Sequence, residues 1–254
     1  MCGRYASSRR PEDLVEEFEI EENRVAAPLE PDYNVAPTKE VYAVVERPPR
    51  APGDGPPEPA ARQLRVVRWG LVPSWAKDPS IGNRLINARM ETVAEKPAYK
   101  RAFARRRCLL PADGYFEWYP TEQHTLAGKP RKQPFFIRPT DGGVLAMAGL
   151  YEIWRDPTRA DDDPERYRWT CTVLTTQAED AVGRIHDRMP LAVERERWDR
   201  WLDPTVADRD DLLGLLVPAA PGRLEAFPVS TAVSNVRNNG PQLIEPIPPE
   251  EAMA

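Results

Sequence analysis

An α+β fold, strand-dominated and built on a wrapped or barrel-like, mostly antiparallel sheet with helices inserted around it, is what this sequence predicts. Three observations carry that expectation. Short runs rich in Val, Ile, Leu, Tyr, Phe and Trp recur along the chain and are punctuated by turn residues. Helical patterns are few and fall between groups of strands instead of alternating with them. The 29 prolines outnumber the 14 glycines, which breaks the chain into many loops and few long elements.

The elements follow in order. Residues 11–18 read as a short helix, with Pro11 near the first position, acids in the first turn, and Leu14, Val15 and Phe18 as its apolar stripe. Residues 33–38 read as turn-like, and residues 41–45 and 64–69 as strands. Between those strands, residues 47–62 hold six prolines and two glycines and almost nothing apolar, so they read as a flexible, Pro-rich hairpin loop within one domain. Residues 97–106 form a helical pattern with Tyr99 and Phe103 four apart. Residues 108–111 and 115–119 read as strands, 121–133 as a polar hairpin loop, and 135–138, 144–154 and 168–175 as further strands. An acidic loop at 156–165 separates the last two. Residues 176–185 look helical, with Thr175 or Thr176 as N-cap. Residues 194–202 and 208–216 are helical by pattern, residues 227–229 are expected to close the sheet, and 247–254 form a Pro-rich tail. No internal repeat is visible, and a single domain over 2–246 is the expectation.

A formal net charge of −5 gives no global support for a nucleic-acid partner, so such a partner would need a local patch. One exists: residues 84–107 hold eight Lys or Arg against Glu91 and Glu95. With Trp69, Trp75 and Trp118, that block suits a groove that tracks a single-stranded backbone and stacks its bases, although a run of charge is more often a solvated face. No apolar run suits a signal peptide or a membrane span, so a cytoplasmic protein, nucleoid-associated if bacterial, is expected. The cysteines Cys2, Cys108 and Cys171 are scattered and odd in number, which suggests neither a disulfide framework nor a metal site. The chain also lacks the glycine-rich, zinc-binding and nucleophile-elbow motifs of common nucleotide enzymes, zinc proteases and serine hydrolases. No cofactor is expected.

Position 2 is the chemically distinctive one. Removal of Met1 would leave Cys2 with an α-amine and a thiol on adjacent carbons. At a reference pKa of about 7.7–8.0, roughly a fifth to a third of that amine is neutral near pH 7.4, against about 0.1% for a lysine. Such an amine attacks an aldehyde, and the neighbouring thiol can close on the imine to give a thiazolidine. Glu117 lies in Gly114-Tyr115-Phe116-Glu117-Trp118-Tyr119, where a strand would put Tyr115, Glu117 and Tyr119 on one face and Phe116 and Trp118 on the other. A carboxylate among aromatics is desolvated towards general-acid duty, or else it stands exposed on an edge strand with aromatic cross-strand neighbours. His186 sits in a loop beside Asp187, as a proton shuttle would, or simply caps a helix. Asn87 and Arg89, two apart, suit sugar or phosphate oxygens if a cleft lies there.

In order along the chain, Met1-Cys2-Gly3-Arg4-Tyr5-Ala6, Tyr33-Asn34-Val35-Ala36-Pro37, Trp69-Gly70-Leu71-Val72-Pro73, Asn87-Ala88-Arg89-Met90-Glu91-Thr92, Asp113-Gly114-Tyr115-Phe116-Glu117-Trp118, His186-Asp187-Arg188-Met189-Pro190 and Ser234-Asn235-Val236-Arg237-Asn238 stand as seven separate blocks. Together they resemble the SOS response-associated peptidase (SRAP) family, whose members cross-link to abasic sites in single-stranded DNA. The resemblance implies that Cys2 forms the thiazolidine with the ring-opened deoxyribose, that Asn87 orients it, that Glu117 assists proton transfer and that His186 opens the sugar ring. It implies that Arg4, Arg89 and Arg188 grip phosphates, with Arg237 in the same DNA-binding set, and that Pro37, Trp75 and Trp118 pack against bases. It implies abasic single-stranded DNA as partner, a monomer, and neither metal nor membrane. Two other readings of the residues stay open: a thiol peptidase or amidohydrolase with Cys2 as nucleophile, and a non-catalytic single-strand binding module.

Overall fold

The computed structural model describes residues 2–47, 60–178 and 180–252. Among the described residues, thirteen strands and five short helices run in the order β1 (Tyr5–Ser7), α1 (Pro11–Glu17), β2 (Glu22–Asn23), β3 (Asp32–Val35), β4 (Glu40–Arg47), β5 (Ala61–Trp69), β6 (Asn87–Arg89), α2 (Lys100–Arg105), β7 (Arg107–Ala112), β8 (Gly114–His124), β9 (Pro130–Pro139), β10 (Leu145–Arg155), β11 (Tyr167–Gln177), α3 (Asp180–Gly183), β12 (Arg188–Pro190), α4 (Trp198–Leu202), α5 (Arg209–Gly214) and β13 (Leu224–Pro228).

Five of these strands close on themselves. β5 pairs with β4, β4 with β7, β7 with β10 and β10 with β11, all antiparallel. A parallel pairing of β11 with β5 (Cys171 opposite Trp69) completes the barrel. Alternation along each strand then divides two cores. Val41, Ala43, Val45, Val67, Trp69, Cys108, Leu110, Tyr151, Cys171 and Val173 share the interior cluster. Their neighbours Tyr42, Val44, Leu64, Leu109, Leu150 and Leu174 pack outwards with Leu14 of α1 and Phe18 just after it, Phe103 of α2, Trp198 and Trp201 of α4 and Leu212 of α5. Strands covered on both faces read as continuous apolar runs, which is why residues 41–45 show no polar alternation.

The second sheet, antiparallel in the order β13-β9-β8-β1-β3, contributes one face to the barrel's interior cluster. Tyr5, Tyr115 and Ile137 belong to that cluster, and the Tyr5 ring lies 5.1 Å from Trp69. Its other face, Ala6, Phe116 and Phe136, meets Val229, Val233 and Leu243 of the C-terminal segment. Aromatic burial on this scale is worth about 3–5 kcal/mol per ring on truncation, so Trp69→Ala would loosen the joint between the sheets. Gly70 (φ 125°) turns the chain out of β5, and a Cβ there would sit 2.6 Å from the Gly82 carbonyl oxygen. That close approach presses the Trp75-bearing loop against the 3-10 turn at Pro79–Arg84.

Several expectations need correction. Residues 32–35 are strand, not turn, because β3 pairs with β1. The 121–133 loop shrinks to a turn, since β8 and β9 stay paired as far as His124 opposite Pro130. No helix spans 176–185: Thr175, Thr176 and Gln177 extend β11 against β12, leaving only the four residues of α3 and no threonine cap. β13 is an edge strand beside β9 and closes nothing; closure comes from β5 and β11. Of the 47–62 loop, Arg47 pairs with Ala61 and Glu46 with Arg62, so those ends are strand, and residues 48–59 lie outside the described residues. In the 247–254 stretch, the Ile247 amide donates to the Pro228 carbonyl at 3.0 Å.

Candidate active site

β1 lies between β3 and β8, so the chain's second residue arrives at the end of the barrel. Cys2 is fully buried and packs in the interior cluster with Tyr5, Val35, Tyr115, Val173 and Met189. Asn87 reaches it from β6, which pairs in parallel with β11 (Asn87 opposite Val173). The Asn87 Nδ2 donates to the Cys2 carbonyl at 2.7 Å, and the Tyr99 hydroxyl donates to the Asn87 carbonyl at 3.0 Å, fixing the residue from behind. Asn87 Oδ1 is buried and has no partner among the described residues.

Glu117 is 3% exposed on β8, a central strand flanked by β1 and β9. Burial pushes its carboxyl up to about 7. Burial first, and then the Glu117 charge, push the Cys2 thiol well above its ordinary range, so the thiol is protonated at neutral pH. His186 follows α3, and its Nδ1 accepts the Arg188 amide at 3.0 Å. Desolvation lowers its pKa, which keeps the ring neutral at pH 7 despite Asp187 Oδ1 2.9 Å away. Asp187 and Lys132 act electrostatically on both Glu117 and His186, so the two groups share one neighbourhood. Among the described residues, no three His, Cys, Asp or Glu side chains gather as a metal site.

A cationic rim flanks this cluster. The half-buried Arg4 donates from Nη1 to Asn34 Oδ1 at 2.7 Å and to the Val233 carbonyl at 2.9 Å, with its guanidinium 5.5 Å from the Trp118 ring centre. Among the described residues no carboxylate hydrogen-bonds it, and its pKa is lowered, chiefly by burial. Trp118 is tied to Ser234 Oγ through Nε1 at 3.0 Å. Asn34, fully buried, holds the 233–238 segment through Nδ2 contacts to the carbonyls of Val233 (3.2 Å), Asn235 (3.0 Å) and Asn238 (2.9 Å). Arg237 is exposed on that segment. Arg89 is exposed two residues beyond Asn87, whereas Arg188 forms a bidentate pair with Glu91 (2.6 and 3.1 Å) and also donates to the Thr175 carbonyl at 2.7 Å. Trp75 is 60% exposed and Pro37 is half-buried. Thr38, directly after Pro37, has φ 76°, a strained value for a β-branched residue.

The structure thus brings Cys2, Asn87, Glu117 and His186 to one end of the barrel, with Arg4 and Trp118 beside one another on its rim. It does not keep the 84–107 basic block together. Arg107 is buried and donates to the carbonyls of Phe103, Ala104, Trp201, Asp203 and Val206, while Arg106 pairs with Glu152 at 2.5 Å. Both are structural. Sequence reasoning missed Asn34, Tyr99 and Tyr115 as members of the pocket and its supports. Tyr115 alone carried a signal, its shared strand face with Glu117.

Known proteins resemble this chain along most of its length. The SOS response associated peptidase (SRAP) family model matches residues 1–236. The chain is 36% identical over 245 residues to the abasic site processing protein YoqW of Bacillus subtilis, covering 96% of this chain and 99% of that one. It is 32% identical to the abasic site processing protein YedK of Escherichia coli over 258 residues, covering 97% and 100%. A crystal structure of a protein from Bacteroides thetaiotaomicron superposes with a TM-score of 0.76 at 22% identity, covering 97% of this chain and all of the other, and shares its fold.

Proposed function

The chain belongs to the SOS response associated peptidase (SRAP) family, and from that premise we propose that it processes abasic sites in DNA by capturing them covalently in single strands through Cys2. The observation that carries this reading is the convergence on Cys2: its carbonyl is held by Asn87, and the Glu117 charge acts on its thiol. The relatives named for abasic site processing support the lesion as substrate.

The chemistry balances without an oxidant or reductant. With Met1 removed, the Cys2 nitrogen adds to C1′ of the ring-opened deoxyribose, forming a C–N bond while the aldehyde oxygen gains a proton. Loss of that oxygen as water leaves an imine. The thiol sulfur then adds to C1′ and its proton ends on nitrogen, closing the thiazolidine. Overall, one water leaves. Protonated Glu117 gives the proton that lets water depart. Neutral His186 takes the C1′ hydroxyl proton as the C1′–O4′ bond of the closed sugar breaks and O4′ gains a proton. Arg4, Arg89, Arg188 and Arg237 meet phosphates, and Pro37, Trp75 and Trp118 meet bases, which requires a splayed single strand.

The thiol peptidase reading is less favoured by the same site. Reactive thiols carry depressed pKa values, whereas that of Cys2 is raised. Incubation of the processed protein with abasic single- and double-stranded oligonucleotides tests the proposal: a heat- and SDS-stable adduct is expected with the single strand. Turnover of an amide substrate without DNA would replace it.

A further inference from the structure

Tyr115 presents a buried polar atom with no assigned use. The residue is fully buried, and its hydroxyl has no hydrogen-bond partner among the described residues. Its ring packs in the same cluster as Cys2, opposite Tyr5 across the β1–β8 pairing. Two residues further along β8, on the same face, stands Glu117. A phenylalanine would fill the same space and leave no hydroxyl stranded in an apolar cluster, where an unsatisfied group is costly. Asn87 Oδ1 is likewise buried and unpartnered, so this end of the barrel holds an unused acceptor together with an unused donor.

We propose that the Tyr115 hydroxyl is a further catalytic group, donating a hydrogen bond to the C1′ oxygen of the ring-opened sugar while the Cys2 amine adds to that carbon. This rests on the aldehyde-capture reading above. As nitrogen attacks C1′, the carbonyl π electrons move onto oxygen. A donor aimed at that oxygen stabilises the developing charge more than the starting carbonyl, which is the condition for accelerating the step. The phenol keeps its proton throughout, and the oxygen leaves as water with protons supplied through Glu117. Burial, followed by the charges of Cys2 and Glu117, raises the Tyr115 pKa well above its ordinary value. The phenol is therefore a donor across the whole working range. Glu117, which faces Asp187 and Lys132, titrates within it.

The test is the single-turnover rate of adduct formation by the full chain with Met1 removed, wild type against Tyr115→Phe, on one abasic single-stranded oligonucleotide. The expected slowing is about ten- to a hundredfold. It should be the same factor from about pH 6 to about pH 8.5, with the Glu117 inflection unmoved, because the phenol does not titrate there. The Tm of Tyr115→Phe should equal or exceed that of the wild type, since an unsatisfied hydroxyl is removed. Equal rates overturn the proposal. So does a slowing that comes with a shifted inflection or a lowered Tm, which would make Tyr115 a support for its neighbours. A wild-type chain that forms no adduct removes the capture reading itself, and this inference with it.

Discussion

The Asn87 carboxamide donates to the Cys2 carbonyl at 2.7 Å while its own oxygen lies buried and unpartnered among the described residues. One side chain therefore fixes the direction in which the chain terminus enters the barrel end and keeps an acceptor in reserve there. The terminal strand supplies the register, with Tyr5 opposite both Val35 and Tyr115. A three-residue extension from such a strand, Cys2 to Arg4, is an imprecise way to aim a nucleophile. The carboxamide makes it definite, and the Tyr99 hydroxyl, donating to the main-chain carbonyl of Asn87, holds the backbone that carries it.

Glu117→Gln should uncouple two pH dependences. Glu117 rises from 4.5 to about 7 on folding, so the folded state binds its proton more tightly than the unfolded chain. The sign follows: its contribution is fully present below about pH 4.5 and is lost as pH rises through about 7. Glu117→Gln is expected to be more stable than wild type at about pH 8, by on the order of 2–3 kcal/mol, and nearly equal at about pH 4. Thermal denaturation across that range checks it. In adduct formation, the wild type should give a bell with its apex between about 7 and about 8, where protonated Glu117 and neutral amine overlap. The glutamine variant should lose the alkaline limb.

Asn34→Ala should cost both stability and DNA affinity. The side chain bonds Arg4 and three carbonyls of the 233–238 segment from a fully buried position. Leaving those groups unpaired should lower stability by about 2–4 kcal/mol in chemical denaturation. Freed from Asn34, Arg4 and the Ser234 contact of Trp118 lose their fixed geometry, and single-strand affinity should fall about tenfold, the weight of one charge-assisted hydrogen bond. A variant that unfolds early yet binds DNA as tightly as wild type would separate this network from the interface.

Glu91→Gln should strengthen DNA binding. Arg188 is bound in a bidentate pair to Glu91, a carboxylate half open to solvent. Removing that charge makes Arg188 available to a phosphate. The slope of log affinity against log salt should steepen by about 0.7 for a single strand, at a stability cost below about 1 kcal/mol. An unchanged slope would remove Arg188 from the interface.

Much of the site was legible because local alternation marked it. Gly114 to Tyr119 read as a strand with Tyr115, Glu117 and Tyr119 on one face, and burial on a central strand supplied the pKa shift that the aromatic neighbours suggested. The barrel-like sheet was legible, but not which strands close it. β5 meets β11 in parallel across about a hundred residues, and no turn chemistry announces a pairing at that separation. The same reason explains the misread helix at 176–185, where the pairing of Thr176 with Met189 outweighs a local helical pattern. Arg107 misled in another way: a charged run in sequence hid a residue whose guanidinium is consumed by backbone carbonyls of α2 and the chain around α4. Asn34 gave no sign, since a buried amide acting as a hub looks in sequence like any turn asparagine.

Intact-mass measurement of the adduct with an abasic single-stranded oligonucleotide, with and without borohydride, tests the central claim most directly. The expected mass is that of the chain lacking Met1 plus the oligonucleotide minus one water. That adduct should survive heat without reductant in the wild type, whereas Cys2→Ala, whose amine stops at the imine, should give a stable adduct only after borohydride trapping, with the two added hydrogens of the reduced imine. A wild-type adduct that needs the reductant, that retains Met1, or that Cys2→Ala forms equally well without it would contradict the account.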